Sequence, residues 1–138
     1  MARHFRRILR LGFVAFGLSP WVVTFLSDRW VPGLLRSFYA FQCHGLTDRV
    51  VRLLGHPMPV CSRCLGIYLG LALSAALPLW RLRARALRIW LVVAAVLMTF
   101  DALLLEDRAP WSRLMTGLLL AFPAAKLILG DIRAPTEA

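Results

Sequence analysis

Residues 89–105 read IWLVVAAVLMTFDALLL, an apolar run broken by a single charge, Asp101. This stretch decides the fold class, because roughly 20 such residues in a helix cross the ~30 Å hydrocarbon core of a bilayer. Three more runs approach that length: residues 8–26, interrupted only by Arg10, residues 60–80 and residues 111–129. Helices are the only reasonable spanning element here. They pair their backbone groups internally, and the chain lacks the alternating pattern of a membrane barrel. The expected fold is therefore all-α, an integral membrane bundle of four transmembrane helices.

Composition agrees. The chain has 138 residues, 59% of them hydrophobic, which excludes a disordered chain and argues against an ordinary soluble domain. Residues 1–138 read as one membrane domain, with no internal repeat or linker long enough to divide it. The net charge of +10 comes from 17 Lys and Arg against 7 Asp and Glu. Those basic residues are dispersed around the ends of apolar runs, and no recognition motif is present, so nucleic acid is not an expected partner. Membrane lipid is.

Arginine placement sets the orientation. Arg3, Arg6, Arg7 and Arg10 precede or open the first run, and Arg81, Arg83, Arg85 and Arg88 lie between the second and third. Lys126 and Arg133 mark the end of the chain. The positive-inside rule then places both termini in the cytoplasm of a multi-pass inner-membrane protein. The first run has a basic start like a signal peptide, but Leu18-Ser19-Pro20-Trp21 is no small-residue cleavage site, so it reads as a retained span. Trp21, Trp30, Trp80, Trp90 and Trp111 fall near the expected boundaries, as an aromatic belt would.

Residues 30–59 are not a clean span. Leu34, Leu35, Phe38 and Phe41, then Leu46, Val50, Leu53 and Leu54, recur at helical spacing between Pro32-Gly33 and Gly55-His56-Pro57-Met58-Pro59. This predicts one or two short interfacial helices in the first outer loop. Gly66, Gly70 and Ser74 repeat every four residues, a ridge suited to a close helix contact, and Thr116-Gly117 suits the same use.

Three polar groups stand out on the side expected to face outside or the periplasm: Cys43-His44, Cys61-Ser62-Arg63-Cys64 with His56 upstream, and Asp101. Cysteines three apart on a helix share a face. That spacing serves zinc thiolates and also redox dithiols. Cys43, His44, Cys61 and Cys64 together would supply three thiolates and one imidazole, a tetrahedral zinc set. The plainer reading of each cysteine is a small buried hydrophobe. Asp101 lies about four residues below the end of its run. An acid there costs about 2.5–3.5 kcal/mol to insert, so it should face the bundle interior with a partner, Arg63 or Arg113. His56, held in a proline-rich turn, is a candidate ligand or proton shuttle, or simply an exposed loop residue.

Cys43-His44 followed by Pro59-Val60-Cys61-Ser62-Arg63-Cys64-Leu65-Gly66-Ile67-Tyr68-Leu69-Gly70 resembles a family of small bacterial and archaeal predicted membrane proteins of unknown function. Its pattern is a Cys-His pair, then Pro-x-Cys-x-Arg-Cys-x-Gly-Ile-Tyr-x-Gly. Asp101 and Arg113-Leu114-Met115-Thr116-Gly117 match an intramembrane Asp followed by Arg-x-x-Thr-Gly, so the resemblance covers roughly residues 38–120. One departure is Gly45, where the family often has Gln. The resemblance implies that these residues belong together, but carries no activity.

The first functional expectation is a metal site with zinc, possible cofactor of a membrane-embedded hydrolase in which Asp101 or His56 acts as base. The alternative is a thiol–disulfide oxidoreductase using Cys61 and Cys64 with quinone, an architecture that looks like the four-span bacterial disulfide-generating enzymes. A non-catalytic subunit with a structural metal is the third.

Overall fold

The computed structural model describes residues 2–26, 34–43, 50–77, 82–104, 110–130 and 132–133. Five helices occupy most of these: α1 (Ala2–Leu26), α2 (Leu34–Gln42), α3 (Ser62–Ala76), α4 (Ala84–Leu104) and α5 (Pro110–Leu129). Strands β1 (Val50–Leu53) and β2 (His56–Cys61) form a hairpin, and β3 (Leu82–Arg83) and β4 (Ile132–Arg133) a short parallel pair.

Among the described residues three helices are long and apolar enough to cross a membrane: His4–Leu26, Ala84–Leu103 and Pro110–Leu129. They correspond to the first, third and fourth expected spans. The second expected span, residues 60–80, differs. Its helix α3 has 15 residues, or about 22 Å at about 1.5 Å per residue, too short to cross alone. Cys61 still belongs to the hairpin, so the helix starts later than its apolar run. It stops at Leu77, just ahead of Pro78 in the sequence.

Of the one or two short helices expected within residues 30–59, α2 is present. Residues 50–61 are instead an antiparallel hairpin, with Leu53 opposite His56 and Arg52 opposite Pro57. Leu54 and Gly55 have φ of 51° and 86°, the signature of a two-residue mirror-image turn. Pro57 and Pro59 follow at once. Two prolines so close together would kink or break a helix, whereas both are tolerated in an edge strand. The apolar spacing at Val50, Leu53 and Leu54 is thus overridden by turn chemistry. Residues 27–33, 44–49, 78–81 and 105–109 lie outside the described residues, and with them His44, Trp30, Trp80 and Leu46.

α3 is the centre of the molecule, packed between α5 and α1. The small-residue ridge makes this possible. A Cβ on Gly66 would stand 2.0 Å from the Leu114 carbonyl oxygen, and one on Gly117 only 2.2 Å from that of Arg63. On the other side, a Cβ on Gly17 of α1 would meet the Tyr68 carbonyl at 2.5 Å. The backbones touch. Without a strong hydrophobic drive between helices in lipid, such close van der Waals packing is what associates them. α4 leans on α5, with Trp90 against Phe122, and its Val92, Val93, Val96 and Phe100 are exposed.

Two compensations keep the interior satisfied. Pro20 removes the amide that would bond the Phe16 carbonyl, and the Ser19 hydroxyl donates to that carbonyl at 2.6 Å instead. Lys126, which reads from sequence as a cytoplasmic marker, is fully buried. Its ammonium donates to the Leu77 carbonyl at the C-terminus of α3, where a cation suits the helix dipole.

Gly117→Ala is expected to cost about 1–3 kcal/mol of stability, because neither Arg63 nor its carbonyl can withdraw. Gly12→Ala, with open space around its Cβ, should cost nothing. Thermal unfolding in detergent checks the pair: equal melting temperatures would show that the α3–α5 contact tolerates slack.

Candidate metal centre

Three elements deliver the cysteines. Cys43 follows α2, its amide donating to the Tyr39 carbonyl at 2.8 Å as if the helix ran one residue longer. The hairpin turns the chain back and ends on Cys61. Cys61 is the N-cap of α3 but makes no side-chain cap, so its sulfur is left for other contacts. Cys64 lies in the first turn of α3. The three Sγ atoms lie within 4.8 Å of one another. Cys43 is buried, Cys61 and Cys64 are half-buried, and all three are free thiols. Around a tetrahedral zinc with Zn–S of about 2.3 Å, sulfurs stand about 3.8 Å apart, so the set needs to contract by no more than about 1 Å.

The surroundings suit a thiolate at Cys61 and a protonated thiol at Cys64, whose pKa its hydrogen bond with Cys61 and burial push up. The Cys61 amide donates to Cys43 Sγ at 3.2 Å. A hydrogen bond from the Cys64 thiol outweighs burial and, with help from the Cys64 and Arg63 amides and Cys43, lowers the Cys61 pKa to about 5. The cluster rests on a small core of Val23, Tyr39, Met58, Val60, Leu65 and Tyr68. Next to it a partly open cavity of about 160 Å³ is lined by Phe16, Gln42, Cys43, Val60, Cys64, Ile67 and Tyr68. In its wall the Tyr68 hydroxyl and Gln42 Oε1 share a hydrogen bond.

Of the residues singled out from sequence, Cys43, Cys61 and Cys64 come together. His44 lies outside the described residues. His56 is exposed on β2, at the turn end of the strand rather than the cysteine end, and is not in the cluster. Asp101 is buried on α4 and takes Arg63, one of its two expected partners: Arg63 Nη2 stands 2.6 Å from Oδ2. Among the described residues its other oxygen, Oδ1, and Arg63 Nε have no hydrogen-bond partner. Sequence reasoning missed Gln42. Its place directly before Cys43 was the only signal, and a polar residue there is unremarkable without knowing that α2 faces Tyr68.

A lowered pKa has a direct consequence. In metal-free protein the Cys61 thiolate should persist at pH 7, where an ordinary thiol of pKa near 8.5 is only a few per cent ionised. Its alkylation rate, followed by mass spectrometry, should be flat above about pH 6 and fall as pH drops through about 5. A midpoint near 9 would remove the electrostatic argument.

Residues 43–127 match the sequence pattern of a family described as predicted membrane protein (DUF2085), a stretch that begins at Cys43 and includes Cys61, Cys64 and Asp101. An uncharacterized protein of Methanocaldococcus jannaschii is 32% identical over 71 residues, covering 46% of this chain and 46% of that protein. One of Methanothermobacter thermautotrophicus is 50% identical over 32 residues, covering 23% of this chain and 29% of that protein. The chain thus spans less than half the length of these relatives. No solved structure matches. With well over half of its length inside the family pattern, the chain belongs to the DUF2085 family of predicted membrane proteins.

Proposed function

We propose that the protein is a zinc-binding integral membrane protein of the inner membrane, with Cys43, Cys61 and Cys64 as ligands and His44, next in the chain to Cys43, as the fourth. The observation that carries this is the convergence of three sulfurs from three different elements to within 4.8 Å. Soft thiolate donors favour zinc or another thiophilic ion over magnesium or calcium. The Cys43 sulfur accepts an amide hydrogen bond, the acidic Cys61 supports thiolate at neutral pH, and metal binding would displace the Cys64 proton. In this reading the metal staples α2 and the hairpin to the start of α3, a site closed by its fourth protein ligand. In the sequence the cysteines precede or open α3 and the arginine-dense residues 81–88 follow it, an order that by the positive-inside rule supports an outer-face metal.

Asp101 and His56 as general bases would require an open fourth position with a bound water. Asp101 is engaged by Arg63 and His56 is exposed, which favours the closed, structural form. One observation favours the thiol–disulfide reading instead: an acidic Cys61 beside a Cys64 thiol is also the arrangement of a redox pair, with membrane quinone as acceptor.

Elemental analysis of protein purified in detergent, with thiol counting, separates the two. About one zinc per chain is expected, with cysteines that react only after chelation. Cys43→Ser, Cys61→Ser, Cys64→Ser and His44→Ala should each lower zinc content. Zinc-free protein carrying a Cys61–Cys64 disulfide, with reduced protein passing electrons to a quinone analogue, would overturn the metal reading.

A further inference from the structure

Asp101 is an expensive residue for α4 to carry. The helix is apolar and long enough to cross a membrane, and its carboxylate is 3% exposed. α4 packs on α5, yet Asp101 forms an ion pair with Arg63 of α3. That partner, Arg63, stands between Cys61 and Cys64. Its main chain is pressed on α5, where Gly117 leaves room for the Arg63 carbonyl and nothing more. The first turn of α3 is therefore held from two sides, by its backbone on α5 and by its side chain on α4.

The contact is incomplete in a particular way. Arg63 and carboxylates favour a two-bond fork. Here one bond is made, between Nη2 and Oδ2, while Nε and Oδ1 are both buried with no partner among the described residues. The same turn carries two sulfurs of a set that is up to about 1 Å too wide for tetrahedral zinc. Two unfinished geometries thus share one turn of helix.

We propose that Asp101 is a positioning residue for the metal site, acting through Arg63 on the Cys61–Cys64 turn, and that contraction of the sulfurs around the metal completes the second Arg63–Asp101 hydrogen bond. This rests on the zinc reading above. It gives the buried acid a task other than proton transfer. It also makes metal affinity depend on a helix that supplies no ligand.

Cobalt(II) replaces zinc as a coloured probe in full-length protein in detergent. Its ligand-field and sulfur charge-transfer bands report the geometry of the site, which a merely structural ion pair would not move. Asp101→Asn is expected to keep one cobalt per chain at saturation, with affinity weakened about 10- to 100-fold, the usual effect of losing an outer-shell partner, and with shifted ligand-field bands. Arg63→Lys, which keeps the charge and loses the fork, should do the same. The double variant should be no weaker than either single one, because both break one link. Asp101→Glu should recover part of the loss, and it serves in place of Asp101→Asn if the latter fails to fold. Unchanged affinity and bands in Asp101→Asn and Arg63→Lys, whatever their melting temperatures, would overturn the proposal and leave the zinc reading standing. Independent, additive losses would also overturn it. A wild-type protein that binds neither cobalt nor zinc would overturn both.

Discussion

The structure depends on how closely α3 approaches α5. The Leu114 carbonyl lies over Gly66 and the Arg63 carbonyl over Gly117, so the two backbones are in contact with no side chain between them. This places α3 at the centre although it is the shortest of the apolar helices. It also fixes the height and rotation of the α3 first turn, and with it Cys64. Cys61 enters through the hairpin and Cys43 through α2. Both would be without a reference if α3 could slide or turn against α5. Small residues along the ridge are the condition for a defined site, even though none of them offers a ligand.

α3 carries complementary charge at both ends. A helix of its length has partial positive charge at the N-terminus and partial negative charge at the C-terminus. At the first end stand Cys61, with its acidic thiol, and the Arg63–Asp101 pair. At the second, the buried Lys126 bonds the Leu77 carbonyl and lies 5.8 Å from the Phe122 ring centroid. A helix that ends short of the membrane–water boundary exposes orphan carbonyls to a medium that cannot hydrate them. Lys126 answers that need from α5, the same helix that sets the packing at the other end. Both charges on α3 and its closest backbone contact therefore come from two neighbours, α4 and α5.

Much of this is legible in the sequence because the lipid constraint is strong. Runs such as residues 89–105 have one stable form in hydrocarbon; α5 follows the expected limits closely, while α1 and α4 end as expected but begin well before their apolar runs. Glycines at four-residue intervals announced a close contact, and Asp101 announced a buried partner that proved to be Arg63. The misreadings fall where local chemistry competes with periodicity. Val50, Leu53 and Leu54 have helical spacing, but the Leu54–Gly55 turn and two prolines impose a hairpin. Leu54 at positive φ carries no sequence signal, since only glycine or asparagine would normally mark it. Lys126 was misleading because a basic residue near the end of a span reads first as a topology marker. Its burial is set by the length of α3, which no local pattern reveals. Likewise the Gln42–Tyr68 bond depends on the placement of α2 across the cavity, a tertiary fact.

The central claim is that three cysteines from three elements act together on one metal ion. Zinc-edge X-ray absorption of the detergent-purified protein tests it most directly, since it counts ligands by type and distance. The account predicts three sulfurs at about 2.3 Å and one nitrogen at about 2.0–2.1 Å. A zinc shell of oxygen and nitrogen alone, or protein that holds no zinc after purification without chelators, would contradict it.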